Sequence, residues 1–321
     1  MHGWIIIDKP VGIGSTPVVS AVKRALRDGG YGKFKVGHGG TLDPLASGVL
    51  PVAIGEATKL AGRMLDSDKM YDFTICFGEQ TDTLDGEGMM IATSDVRPTI
   101  AAVEGVLARF TGAVEQMPPA FSALKVDGKR AYDLARAGEE VVLQTRSVTV
   151  HSLAVGHPRG GGDPSPDGTA QRDFSEMGPR FRRGDGDLEE VTLTAHVSKG
   201  TYIRSLARDV ALALDTVGHV TMLRRIKAGP FSLAGAISLD KLAELGQARA
   251  LEETLLPLTA GLDDIPALPV TPDQAGLLRK GRVLIGIAVD DGQYFATDAT
   301  APVALVEAQD REVRVVRGFN L

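Results

Sequence analysis

An aspartate wedged between an apolar residue and a proline is the first position in this 321-residue chain whose setting suggests chemistry. It lies in Gly37-His38-Gly39-Gly40-Thr41-Leu42-Asp43-Pro44-Leu45-Ala46-Ser47-Gly48. Proline fixes its own φ and biases the residue before it away from helical geometry. Leu42 and Pro44 restrict solvent around the carboxylate, and a cation nearby would keep it ionised, fit to act as nucleophile or base. The plainer reading is an Asx-turn aspartate capping a loop, and residue types alone favour it. The glycines also invite a phosphate cradle. No Gly-Lys-Ser/Thr ending follows them, and no G-x-G-x-x-G joins a strand to a helix, so nucleotide hydrolysis is set aside.

Lys199-Gly200-Thr201-Tyr202-Ile203-Arg204 is the second candidate. Arg204 enters a helix at its N-terminal end, against the macrodipole, which asks for a specific anionic partner. Asp43 would serve; a surface ion pair or a solvated arginine is the alternative. The third is Thr81-Asp82-Thr83-Leu84-Asp85-Gly86. Its carboxylates admit a glycosidase acid/base pair or a metal loop. The remaining EF-hand ligands are missing, and a polar turn is the better reading. The histidines (2, 38, 151, 157, 196 and 219) show neither H-x₃-H nor H-E-x-x-H spacing, so no metal site is expected. A single cysteine, Cys76, excludes a disulfide framework and a Cys-rich zinc site.

Around these positions the composition is that of an ordinary globular protein, 43% apolar and 24% charged, which excludes wholesale disorder. No apolar run approaches the roughly 20 residues of a membrane span. Trp4 to Ile7 is too short for a secretory core, so a cytoplasmic protein is expected. The net charge of −6 argues against a nucleic-acid partner, but the average hides segregation. Residues 1–65 carry eight Lys/Arg against four Asp/Glu, residues 199–231 six against two, and residues 66–115 three against ten. Two basic segments in an acidic chain can attract a polyanion locally. Ordinary surface solvation explains the same counts.

The elements that must hold the candidates follow from periodicity. Trp4–Asp8 reads as a buried strand, and Ser15-Thr16-Pro17 looks like an N-cap with proline in the first turn of a helix that carries Val18, Val22, Ala25 and Leu26 on one face. A second helix is expected over 57–65. Residues 70–78 alternate, with Tyr71, Phe73, Ile75 and Phe77 on one face and Asp72, Thr74 and Cys76 on the other. Further helices are expected from Pro98–Thr99, over 129–137 and from Ile203, and strands over 120–126, 148–155 and 191–197. Without a regular βαβ rhythm, an α+β domain with a large mixed, mainly antiparallel sheet fits. Residues 156–187 hold eight Gly and four Pro among 32 positions and read as a flexible insertion. A domain boundary is expected near 262, giving domains 1–262 and 263–321; the second reads as a helix (272–280) with three or four short strands.

Several blocks closely resemble the TruB family of tRNA pseudouridine synthases. They are Asp8-Lys9-Pro10-Val11-Gly12, the 36–48 loop, Gly55-Glu56-Ala57-Thr58-Lys59, Asp68-Lys69-Met70-Tyr71 and Gln80-Thr81-Asp82-Thr83-Leu84-Asp85. The likeness continues through Gln116-Met117-Pro118-Pro119-Ala120-Phe121-Ser122-Ala123-Leu124-Lys125, the 199–204 block and Leu223-Arg224-Arg225. These blocks keep the family order and cover most of residues 1–231, and the C-terminal segment is similar, less closely, to a small β-rich PUA-like module. The resemblance implies isomerisation of uridine to pseudouridine at position 55 in the T-arm of tRNA, with no cofactor and no metal. It places Asp43 on the essential aspartate and Arg204 on the arginine that pairs with it. Tyr71 falls on the aromatic residue that packs on the uracil, Tyr202 and Leu223 on pocket residues, and His38 on the histidine associated with the displaced nucleotide. Gly39 departs from the threonine frequent in the family, and is expected to loosen the loop. A base inside a folded RNA arm must be flipped out and stacked, for which Tyr71 and Leu223 are suited. The expected protein is a cytoplasmic monomer whose partner is tRNA, with no membrane and no metal. The alternatives are a non-catalytic tRNA-binding or RNA-folding protein on the same scaffold, and a glycosidase using Asp82 and Asp85.

Overall fold

A computed structural model describes residues 1–122, 124–126, 129–137, 143–156, 180–181, 186–299 and 301–321. The first strand, β1 (Gly3–Lys9), is almost wholly buried, as its apolar run requires. Helix α1 (Ser15–Asp28) buries Val18, Val22, Ala25 and Leu26 along one stripe and stops at Gly29. Strands β2 (Val36–His38) and β3 (Ala46–Ile54) follow, then β4 (Lys69–Phe77). The expected 57–65 helix is a 3₁₀ turn, Gly55–Leu60, running into Ala61–Asp66. Helix α2 (Ile100–Leu107) is capped by Thr99, whose Oγ1 accepts from the Ala102 N–H.

Strands β5 (Gly112–Gln116), β6 (Arg146–Val155) and β7 (Leu188–Val197) precede helix α3 (Ile203–Leu212) and the long strand β8 (Gly218–Ala228). Helix α4 (Leu239–Ala248) then leads to α5 (Pro272–Arg279), which opens on a complete Thr271/Gln274 capping box. Strands β9 (Gly292–Asp298), β10 (Ala301–Gln309) and β11 (Glu312–Gly318) end the chain.

The chain forms two compact units. One comprises Met1–Asp43, Val49–Leu65 and Ala228–Leu321; the other comprises Pro44–Gly48 and Asp66–Lys227. In the second unit β8, β4, β7, β6 and β5 lie side by side in that order. The β4–β7, β7–β6 and β6–β5 pairs are antiparallel, and the first residues of β3 run parallel to β8. Helix α3 and strands β4, β7 and β8 contribute Phe73, Ile75, Leu193, Leu206, Val210 and Val220 to one apolar core. In the first unit Trp4, Phe231, Leu258, Ile265, Leu305 and Phe319 meet in another. A five-stranded sheet holding β9, β10 and β11 has its own cluster with α5, around Leu278, Ala304 and Val313.

The α+β class and the large, mainly antiparallel sheet agree with the sequence reading, and further details differ. Among the described residues of the expected 120–126 strand, Lys125–Val126 is extended. The strand β5 and the long strand β8 carry no clear alternation and were not expected, because both are held by neighbours on the sheet. Helix α4 was not expected either. Most of the 156–187 insertion lies outside the described residues; within it, Arg180–Phe181 is a short strand on β7.

Candidate active site

Strand alternation places Tyr71 on the face of β4 that bears Phe73, Ile75 and Phe77, and its ring packs on that core. Leu223, on β8, packs on the same core. Two residues before Tyr71, Lys69 shares its face; burial first, then the Arg225 guanidinium, pushes its ammonium down to about 8.

Tyr202 is the N-cap of α3, where a tyrosine side chain has no cap to offer. The buried Gln116 holds it in both directions: its Oε1 accepts from the Tyr202 N–H at 2.8 Å and its Nε2 donates to the Tyr202 carbonyl at 3.1 Å. The Arg146 guanidinium lies over the Tyr202 ring at 5.6 Å. Gln116 thus fixes the entry to α3, and with it the direction of Arg204 two residues on.

Arg204 is buried, and an anionic partner is present. Its Nη1 donates to Asp85 Oδ2 at 3.0 Å and to the Thr83 carbonyl at 2.8 Å, and its Nη2 to the Phe121 carbonyl at 3.0 Å. The two charged side chains are 8% and 10% exposed. Asp85 also accepts from Thr83 Oγ1 at 2.6 Å and from the Glu87 N–H at 3.0 Å. The 81–86 segment is a turn, as its residue types indicate, but Asp85 is more than turn chemistry: it is a counter-ion, which the sequence reading missed. The signal available was its place in a segment of marked acidity; nothing local showed that an arginine 119 residues away would reach it.

His38 and Asp43 belong to the other unit. His38 ends β2, opposite Val52 of β3. The residue before Asp43 is clamped: the buried Ser15 Oγ accepts from the Leu42 N–H at 2.9 Å and donates to the Leu42 carbonyl at 3.2 Å. Ser15 is therefore not the helix cap that the sequence suggests; it is the first helical residue, and its hydroxyl pins the loop. Gly39 does not loosen that loop. Its N–H donates to the Pro51 carbonyl at 2.8 Å, and a Cβ there would stand 2.5 Å from Met64 Cβ. Past Asp43 the chain enters the second unit, where Ala46, Ser47 and Gly48 pair in parallel with Leu223, Arg224 and Arg225. Gly48 has φ +101°, and a Cβ would meet the Arg225 carbonyl oxygen at 2.2 Å, so only glycine fits where these strands meet.

Known proteins share this arrangement of sequence. The family model described as the TruB family pseudouridylate synthase N-terminal domain matches residues 27–161. The model of the tRNA pseudouridylate synthase B C-terminal domain matches residues 204–263. Relatives named tRNA pseudouridine synthase B, from Novosphingobium aromaticivorans and Zymomonas mobilis, are 59% and 55% identical. Each alignment covers 100% of this chain, with 98% and 96% of the relatives' own lengths. Among solved structures, an H/ACA RNP bound to a substrate RNA containing 2′-deoxyuridine is similar at a TM-score of 0.69 and 22% identity, over 99% of this chain and 85% of that one. An archaeal box H/ACA sRNP Nop10–Cbf5 complex is similar at 0.67 and 21%, over 99% and 86%. These two likenesses show the fold.

Proposed function

The chain belongs to the TruB family of tRNA pseudouridine synthases and isomerises uridine to pseudouridine in tRNA, and we propose that its target is position 55 of the T-arm, reached by flipping the base out of the folded arm. In the reaction the N1–C1′ bond breaks, the uracil turns, a C5–C1′ bond forms and the C5 proton moves to N1. Atoms and electrons balance within the nucleotide, so no oxidant or reductant enters. A non-catalytic RNA-binding role is not favoured, since the relatives that match over the whole chain carry the enzyme's name.

In this reading Asp43 is the catalytic carboxylate, acting as nucleophile or base at the breaking bond, and Arg204 supplies the positive charge that keeps it ionised. Tyr71 stacks on the uracil and helps remove the C5 proton. Tyr202 and Leu223 shape the pocket, and His38 meets the displaced nucleotide. One observation carries the reading: Ala46, three residues after Asp43, pairs with Leu223, while Ser15 clamps Leu42 just before it. The Ser15 clamp on the preceding residue leaves the carboxylate less freedom to lose in reaching a transition-state geometry. Residues 263–321 act as an RNA-binding module that extends the footprint beyond the T-arm, a role that suits the basic Arg279, Lys280 and Arg282 beside its sheet. The enzyme works as a cytoplasmic monomer.

Asp43→Asn tests the assignment. The amide keeps the side chain's size but cannot act as an anion, so single-turnover isomerisation of unmodified tRNA should vanish while tRNA affinity stays within a few-fold, because phosphate contacts supply most of the binding. Turnover near the parent rate would show that Asp43 is not the catalytic group.

A further inference from the structure

Histidine spacing along the chain gives no hint of a metal, yet the fold gathers three ligands that the isomerase reading does not use. Asp68 precedes β4, His151 lies in β6 and His196 in β7, and β7 pairs with both of the other strands. The register sets Met70 opposite His196 on one side and Ser152 opposite it on the other. Between Val150 and Ser152 the pairing shifts, so His151 is the extra residue of a β-bulge. Without the bulge, alternation would separate His151 and Ser152; instead both are exposed, while Val150 and Leu153 point into the core. A bulge re-aims a side chain in this way, and here it turns His151 toward His196.

The result is convergence on one oxygen. His151 Nε2 lies 3.0 Å from Asp68 Oδ2, His196 Nε2 lies 3.8 Å from the same atom, and all three candidate ligand atoms fall within 4.8 Å of one another. The imidazole centroids are 4.6 Å apart. A tetrahedral zinc with bonds of about 2 Å needs its ligand atoms about 3.3 Å apart. Side chains 37–47% exposed can make that adjustment by small torsional changes. Two imidazoles and one carboxylate suit Zn²⁺ and its first-row neighbours; Mg²⁺ and Ca²⁺ prefer all-oxygen sets.

The geometry points to a divalent transition-metal site formed by Asp68, His151 and His196, with Zn²⁺ as the fitting ion and the fourth position open to water. It lies on the face of the sheet that carries the Asp72–Thr194 and Thr74–Thr192 hydrogen bonds, opposite the core face of Tyr71. Its role is to clasp three adjacent strands, not to take part in the isomerisation. Lys227 adds positive charge nearby and makes this a weaker site than a closed structural zinc.

The test uses the full-length chain without an affinity tag, stripped by chelator. Calorimetric titration with Zn²⁺ should show one equivalent bound, Co²⁺ should give the intense visible bands of a tetrahedral site, and zinc should raise the melting temperature. A His151→Gln/His196→Gln double variant should lose all three responses and isomerise tRNA at the parent rate. Asp68→Asn should weaken zinc binding at least tenfold, and serves alone if the double variant does not fold. No binding by the parent, or equal binding by the variants, would overturn the site. Turnover that depends on added zinc would overturn its separation from catalysis.

Discussion

Replacing Asp85 by asparagine removes one charge from a pair that is almost fully enclosed. The side chains of Arg204 and Asp85 are 8% and 10% exposed, and their nearest approach is 3.0 Å. Breaking a buried pair by neutralising one member costs about 3–5 kcal/mol, because the other charge stays buried. Arg204 would keep its bonds to the Thr83 and Phe121 carbonyls and, in the proposed site, the charge of Asp43, which places the expected loss at the lower end, about 3 kcal/mol. The asparagine has one oxygen where the carboxylate serves two sets of donors: Arg204 through Oδ2, and Thr83 and the Glu87 N–H through Oδ1. One set must therefore go unmet. With a urea m-value of about 3 kcal/mol per molar for a chain of this size, the midpoint should fall by about 1 M. A double-mutant cycle with Arg204→Met isolates the pair and should return a coupling of about 2–3 kcal/mol. Single-turnover isomerisation should slow together with the loss of stability, since Arg204 is no longer held. A coupling below about 0.5 kcal/mol would refute the reasoning, because that is the scale of a surface pair.

Three further outcomes are expected. Gly39→Thr should destabilise by about 1–3 kcal/mol through overpacking against Met64, and adding Met64→Ala should restore part of the loss; equal damage in both backgrounds would show that the close approach does not decide the residue. Burial opposes ionisation of Glu56, but the Lys59 ammonium at 2.7 Å and the Asn320 N–H at 2.8 Å outweigh it and hold its carboxyl below the ordinary value. A depressed carboxyl stabilises above the unfolded-state pKa of about 4.3 and ceases to do so as pH falls through the folded value, so Glu56→Gln should be less stable than the parent at pH 6 and converge with it toward pH 3 in urea titrations. Lys280→Ala with Arg282→Ala should lower tRNA affinity and flatten its dependence on log salt by about one unit or more, with chemistry on saturating RNA unchanged; an unaltered slope would remove the C-terminal module from the RNA footprint.

Removing the whole module would be a poorer test. Ile265, Leu305 and Phe319 share a core with Trp4 and Leu258, so truncation would expose apolar surface as well as remove charge.

Local chemistry was legible in the sequence. Periodicity located α1, β4 and α3, since an apolar stripe at helical or alternating spacing has only one face to bury. Ordered blocks from Asp8 to Arg225 identified the family and named the candidate residues. Strand β8 escaped because it owes its state to the strands beside it, and its own residues show no alternation. The sequence also misjudged Ser15 and Gly39: a hydroxyl at a helix start reads as a cap and a glycine reads as slack, until Leu42 and Met64 are seen against them. Pairing across distance was settled only by tertiary structure. Asp85 meets Arg204 across 119 residues, and a one-residue bulge turns His151 toward His196. Spacing along a chain constrains contacts within one element; contacts between elements depend on register, where a shift of one residue moves a side chain to the other face of the sheet.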